Sequence, residues 1–282
     1  MHPLITAREL AALLGGGRTV RLLDVRWRLD RPDGRPEYLE AHLPGAVYVD
    51  LDHELASHGR PEDGRHPLPT RDALESAARR WGLRAGDTVV AYDDAGGLAA
   101  ARAWWLLSRA GVADVRVLDG GLSAWTREGL PLEEGDVVPQ PGDIVLHDAT
   151  EGIADIDDAA AWPSRGVLLD VRAAERYRGE VEPLDPIAGH IPGAVNLPIS
   201  TLLSDGLLRS SDELRAAFEA AGATQDTPVA AYCGSGITAA QAALAGVVAG
   251  IDVTVYPGSW SQWSNSPGRP VATGAEPGDL SA

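Results

Sequence analysis

Cys233 is the only cysteine in the 282 residues, and its neighbours equip it to act as a nucleophile. It follows a strand-like run, Val229-Ala230-Ala231-Tyr232, and precedes Gly234-Ser235-Gly236-Ile237-Thr238, which opens a helix-like stretch from Ala239 to Val248. A sulfur at such a turn faces successive backbone N–H groups and the positive end of a helix dipole, and both favour its ionised form. A free thiol has a pKa of about 8.5, and settings of this kind lower it to roughly 3.5–7.5. Gly234 and Gly236 let the backbone wrap closely around the sulfur, while Ser235 and Thr238 bring hydroxyl donors. A lone cysteine without context reads first as a small buried core residue, and the glycine-rich strand-to-helix setting reverses that order.

The elements that must position this loop occur twice. Leu22-Leu23-Asp24-Val25-Arg26 recurs as Leu168-Leu169-Asp170-Val171-Arg172, a shift of 146, and His42-Leu43-Pro44-Gly45-Ala46-Val47 recurs as His190-Ile191-Pro192-Gly193-Ala194-Val195, a shift of 148. Val89-Val90-Ala91-Tyr92 matches Val229-Ala230-Ala231-Tyr232 at 140, and Gly120-Gly121-Leu122-Ser123-Ala124-Trp125 matches Gly258-Ser259-Trp260-Ser261-Gln262-Trp263 at 138. The order never breaks, and the period is far longer than that of a solenoid, so duplicated tandem domains explain it. Pro131 to His147 is rich in Glu, Pro and Gly and suits an exposed connector, which gives domains at 1–134 and 149–282 joined by a linker at 135–148.

Inside each half, short β-branched runs alternate with helical patterns. The runs are Arg21 to Val25, Thr88 to Tyr92 and Val115 to Leu118, then Val167 to Val171, Pro228 to Tyr232 and Val253 to Tyr256. The helical patterns include Arg71 to Trp81, Ala99 to Ala110, Ser211 to Ala221 and Ala239 to Val248. This alternation predicts two α/β domains, each a mainly parallel sheet flanked by helices. Ligands of such sheets gather at the carboxyl ends of the strands, where Cys233 falls.

Composition sets the outer limits. A hydrophobic content of 44% suffices for sizeable cores. Acidic residues outnumber basic ones 41 to 24, a net charge of −17 that disfavours nucleic acid and anionic lipid as partners. A single cysteine excludes an internal disulfide and the usual sulfur-rich zinc site. The first residues resemble no signal peptide and no run approaches the roughly 18 apolar residues of a membrane span, so a cytoplasmic location is expected.

The loop Cys233-Gly234-Ser235-Gly236-Ile237-Thr238-Ala239, the paired His-Ile/Leu-Pro-Gly-Ala segments and the duplication together resemble the two-domain rhodanese family of sulfurtransferases. The resemblance covers essentially the whole chain. It implies two tandem rhodanese-like domains and a double displacement in which Cys233 takes a sulfane sulfur from a donor, holds it as a persulfide cradled by loop amides, and passes it to a thiophilic acceptor. In the first half Asp93-Asp94-Ala95-Gly96-Gly97 stands where the second has Cys233 to Ile237, so the first domain is expected to be catalytically silent and to shape the cleft. The carried group is the sulfur itself, and neither metal nor organic cofactor is implied. The expected partners are a small-molecule sulfur donor and an acceptor such as cyanide, a thiol or reduced thioredoxin.

The loop carries no basic residue, whereas thiosulfate-preferring members have them there. Gly-Ser-Gly after the cysteine instead resembles the 3-mercaptopyruvate sulfurtransferases, whose resemblance implies a Ser/His/Asp proton relay at Ser235, His66 and Asp52. Taken alone, His66 and Asp52 also read as a loop histidine and a turn carboxylate. Arg176 matches a substrate-binding arginine, suited to a carboxylate, while Gly234, Gly236, Ile237 and Thr238 would line the sulfur. A second arginine expected a few residues later has no counterpart, since Leu184 stands near that place; Arg178 either compensates or is solvated.

Other residues lean structural: Asp24/Arg26 and Asp170/Arg172 as ties between strand ends and loops, His42 and His190 as backbone partners before Pro-Gly turns, and Trp27, Trp260 and Trp263 as cleft or core aromatics. Two rivals stand beside the sulfurtransferase. A cysteine phosphatase or arsenate reductase needs an arginine six residues after the cysteine, where this chain has Ala239. A non-catalytic rhodanese-like binding module fits the Asp93 half, but Cys233 argues against it for the other.

Overall fold

Thr88–Tyr92 is buried at every residue, as a strand covered on two faces must be, and it pairs in parallel with Val20–Asp24 on one side and Val115–Leu118 on the other. Leu4–Ile5 and Val47–Tyr48 complete a five-stranded parallel sheet in the order Leu4–Ile5, Val115–Leu118, Thr88–Tyr92, Val20–Asp24, Val47–Tyr48. A second sheet repeats the pattern with Val253–Val255, Val229–Tyr232, Val167–Asp170 and Val195–Asn196. The computed structural model describes residues 2–17, 19–149 and 151–279. They form two compact units: Met1–Ser57 with Leu68–Thr150 and Asp205–Leu208, and His58–Pro67 with Glu151–Ser204 and Arg209–Ala282.

The duplication is visible in side-chain wiring. The hydroxyl of Tyr92 accepts from Leu43 N at 3.0 Å in the first unit, and that of Tyr232 accepts from Ile191 N at 3.1 Å in the second. Tyr38 donates to Ala46 O and Tyr177 to Ala194 O, at 2.9 and 2.7 Å. His42 stacks on Tyr38 and His190 on Tyr177, with ring centroids 4.2 and 3.8 Å apart, and each Nδ1 lies 2.8 Å from a backbone oxygen of the same tyrosine. These histidines hold the Pro-Gly turns. Arg26 pairs with buried Asp24 and reaches Glu37 O and Ala41 O, while Arg172 pairs with buried Asp170 and reaches Gly189 O. Both arginines tie a strand end to the loop beyond it.

The helices fall within two residues of their expected limits, at Arg71–Arg80, Leu98–Arg109, Ser211–Ala220 and Ile237–Ala249. The helix after Cys233 begins at Ile237 because Gly236, in the left-handed region at φ 84°, caps it. Its first turn therefore starts closer to the sulfur than the apolar periodicity suggests. Each unit has its own core. Leu10, Leu22, Leu43, Val90, Tyr92 and Trp125 pack in the first, and Leu168, Tyr177, Tyr232, Tyr256, Trp260 and Trp263 in the second. Fully burying side chains of this size contributes about 1.5–3 kcal/mol each.

The acidic, proline-rich stretch after Pro131 is more closely attached than an exposed connector. Ile144 and Leu146 are buried, Gly142 N donates to Arg79 O at 2.7 Å, and His147 N donates to Ala110 O at 2.9 Å. These two buried side chains and the backbone hydrogen bonds dock it on the first unit. No helix among the described residues is long and apolar enough to cross a membrane.

Candidate active site

Cys233 ends the central strand Val229–Tyr232 of the second unit and is 2% exposed. Its Sγ faces polar groups: Gly236 N donates to it at 3.1 Å, and the hydroxyl of Ser259 lies 4.0 Å away. The amide donor and the start of helix Ile237–Ala249 both present partial positive charge toward the sulfur. Gly236 is required both by its φ and by space, since a Cβ there would come within 2.4 Å of Pro257 O. Ile237 is buried at the helix start and Thr238 is half-buried in its first turn. Among the described residues, no hydrogen bond joins the Thr238 hydroxyl to the sulfur.

The hydroxyl near the sulfur belongs instead to Ser259. Its Oγ accepts from Cys233 N at 3.1 Å and donates to Tyr256 O at 2.9 Å, which fixes the nucleophile's backbone. Ser259 has φ 54°, an unusual value for a residue with a side chain, and its counterpart in the first unit is Gly121 at φ 52°. The repeat alignment pairs these residues, so the exchange of glycine for a hydroxyl-bearing residue was a readable signal.

Ser235 pairs with His66. Its Oγ lies 2.8 Å from His66 Nδ1, and both residues are about nine-tenths buried. His66 reaches this position because His58–Pro67 belongs to the second unit, where Arg65 N also donates to Ser261 Oγ at 3.0 Å. Asp52 lies in the first unit, on the short helix Leu51–Glu54, and its Oδ1 accepts from the indole of buried Trp27 at 2.9 Å. Trp260 and Trp263 are core residues, their indoles donating to Ile187 O and Pro270 O, each at 2.9 Å.

Arg176 stands at the loop. Its Nη1 lies 3.4 Å from the position a Cβ on residue 234 would take, and Arg65 Nη2 lies 3.1 Å from the same point. Gly234 therefore leaves room for two guanidinium groups. Arg176 is oriented by buried Glu182, with Nη2 to Oε1 at 2.6 Å and Nε to Oε2 at 3.3 Å. Asp185, whose side chain is 2% exposed, bridges both arginines through its two oxygens. Burial pushes the Asp185 carboxyl above its ordinary range, against the pull of Arg65. Arg178 points elsewhere and pairs with Glu180 at 2.7 Å, and Leu184 is exposed. Arg65, Glu182 and Asp185 were missed in the sequence because they come from separate segments; the adjacency of Arg65 to His66 was the available hint.

The first unit holds the matching loop without a nucleophile. Asp93 is completely buried, and its carboxylate accepts from the amides of Ala95 and Gly97, each at 2.9 Å, and of Ala99 and Ala100 at 2.8 and 3.0 Å. The Asp93 carboxyl itself fills the cradle. Among the described residues, no group of three or more His, Cys, Asp or Glu side chains is placed to hold a metal ion.

Comparison with known proteins agrees with this arrangement. The rhodanese-like domain matches twice, over residues 6–128 and 151–266. SseB of Mycobacterium tuberculosis, provisionally named a thiosulfate sulfurtransferase, is 48% identical over 275 residues, covering 96% of this chain and 97% of that protein. A Pseudomonas aeruginosa protein, provisionally named a 3-mercaptopyruvate sulfurtransferase, is 44% identical over 282 residues, covering 96% and 98%. The crystal structure of SseA from Escherichia coli, described among 3-mercaptopyruvate sulfotransferases, superposes with a TM-score of 0.82 at 33% identity, covering 92% of this chain and 99% of SseA. With two copies of the domain, each built on a parallel sheet, this chain belongs to the rhodanese family.

Proposed function

We propose that the protein is a sulfurtransferase that moves a sulfane sulfur from 3-mercaptopyruvate to a thiophilic acceptor through a persulfide on Cys233. The observation that carries this reading is the sulfur itself, set at the end of the central strand with the Gly236 amide on it and a helix start beside it. Attack of the Cys233 thiolate on the donor sulfur forms the S–S bond and breaks the bond from sulfur to C3. The electron pair leaves on carbon as the enolate of pyruvate, which then takes a proton. In the second step cyanide attacks the outer sulfur, leaves as thiocyanate and returns the thiolate.

The first step needs a proton at the departing carbon, and the hydrogen bond between Ser235 and His66 supports giving that role to this pair. Asp52 enters this proposal as third member by resemblance alone. A thiosulfate donor differs, because its leaving sulfite departs as a stable anion and needs no proton. His66→Ala and Ser235→Ala are therefore expected to lower kcat/KM for 3-mercaptopyruvate by about 10²–10⁴-fold, the range typical of lost acid–base catalysis, and to affect thiosulfate far less. Equal losses with both donors would count against the relay.

The absence of basic residues from the loop supports 3-mercaptopyruvate, while the likeness to the SseB protein favours thiosulfate as the second reading. Measuring kcat/KM with each donor, with cyanide as acceptor, decides between them; a preference for thiosulfate overturns the first. The acceptor is proposed to be cyanide, a small thiol or a reduced thioredoxin, and the location cytoplasmic.

A further inference from the structure

Two guanidinium groups meet above the cysteine loop, and only one was legible as a substrate residue. Arg65 Nη2 and Arg176 Nη1 both lie within 3.4 Å of one point, the Cβ position of residue 234. Neither nitrogen has an acceptor among the described residues, and Arg65 Nε is likewise buried without one. Their other N–H groups are occupied. Arg65 Nη1 binds Asp185 Oδ1, Arg176 Nη2 lies 3.4 Å from Asp185 Oδ2, and Glu182 holds the rest of Arg176. One buried carboxylate thus fixes both cations and leaves a nitrogen of each within 3.4 Å of the same point at Gly234, the residue next to the nucleophile.

We infer that Arg65 is the second arm of the donor-binding clamp, acting with Arg176 on the carboxylate of a 2-oxo-acid thiol, with Asp185 as the residue that positions both. This supplies from a different segment the arginine absent near Leu184, and it rests on the sulfurtransferase reading above. Charge balance sets the ligand class. Arg65, Arg172 and Arg176 are matched by Asp170, Glu182 and Asp185, so the cluster is neutral before the donor arrives. A neutral cluster with two open donors suits a planar monoanion better than a dianion, whose second charge would lie against two buried carboxylates.

The test separates loading from discharge. Cys233 persulfide formation is followed by mass spectrometry after mixing with 3-mercaptopyruvate, and discharge is followed by adding cyanide to enzyme already loaded. Arg65→Gln is expected to raise the KM for 3-mercaptopyruvate about 10–100-fold, the loss of one charge-assisted pair, while preloaded enzyme discharges at the wild-type rate. Arg65→Lys, which keeps the charge without the fork, should recover part of the loss. Asp185→Asn adds one positive charge to the cluster and should shift the ratio of kcat/KM values toward thiosulfate. An Arg65→Gln enzyme that loads from 3-mercaptopyruvate with wild-type KM overturns the inference, as does an equal loss in loading and discharge, which marks Arg65 as merely structural. A wild-type enzyme that never forms the persulfide sinks the underlying reading instead.

Discussion

Cys233→Ser is expected to abolish sulfur transfer, lowering turnover with either donor by ~10³-fold or more, because the whole double displacement passes through one atom. A serine hydroxyl at this place is nearly isosteric, and the Gly236 amide would still find an acceptor, so the fold should survive. The oxygen fails for two chemical reasons. It is a far weaker acid than a thiol, so it offers no comparable anionic nucleophile. It also lacks the polarizability to accept and release a second sulfur. The readout is thiocyanate production, together with the mass gain of one sulfur atom on the protein, present in the wild type and missing in the variant. Circular dichroism and the unfolding midpoint serve as controls. Residual activity within tenfold of wild type would exclude the covalent intermediate and with it the proposed function.

Most of the scaffold was legible because its signals are local. Thr88–Tyr92 and Val115–Leu118 coincide with their expected limits, since a β-branched run bounded by turn residues leaves little freedom. The helix after Cys233 began two residues earlier than its periodicity, because capping by Gly236 depends on φ and not on hydrophobic pattern. The nucleophile and its glycines were readable for the same local reason. The placement of His58–Pro67 in the second unit was not readable, for no composition shift marks an exchanged segment of ten residues. Arg65, carried on that segment, was lost with it. Ser259 was missed for another reason: the repeat alignment exposed the Gly121 exchange, but only backbone geometry gives it meaning. The hydroxyls of Ser235 and Thr238 illustrate the converse: adjacency in sequence did not give either a hydrogen bond to the sulfur among the described residues. Ser235 points to His66 and leaves the sulfur to Ser259.

Asp93→Ala is expected to destabilise the first unit by about 3–5 kcal/mol, a large share of the stability of an ordinary domain. The carboxylate satisfies four backbone amides, those of Ala95, Gly97, Ala99 and Ala100, in a loop where Asp93 itself is inaccessible. Each buried amide left without a partner costs about 1–3 kcal/mol, and partial hydration of the emptied space keeps the total below the simple sum. Charge is not the source of this stability. Burial pushes the Asp93 carboxyl above the ordinary carboxylate range even though the amides pull it down. A folded-state value above the unfolded one gives a contribution that is full below the unfolded pKa and fades as pH rises through the folded one. The contribution of Asp93 therefore comes from the hydrogen bonds its carboxyl oxygens accept. Asp93→Asn isolates that effect: the amide oxygen can serve one pair of N–H groups, while its NH2 opposes the other pair, so a loss of about 2–3 kcal/mol is expected, smaller than for alanine. Because two units need not unfold together, hydrogen exchange at residues 95, 97, 99 and 100 is the direct measure, with the chemical unfolding transition beside it. Protection unchanged in Asp93→Ala, or a stability change under about 1 kcal/mol, would show that the cradle does not depend on its resident anion, and would leave the presence of an aspartate in the silent loop without a physical cause.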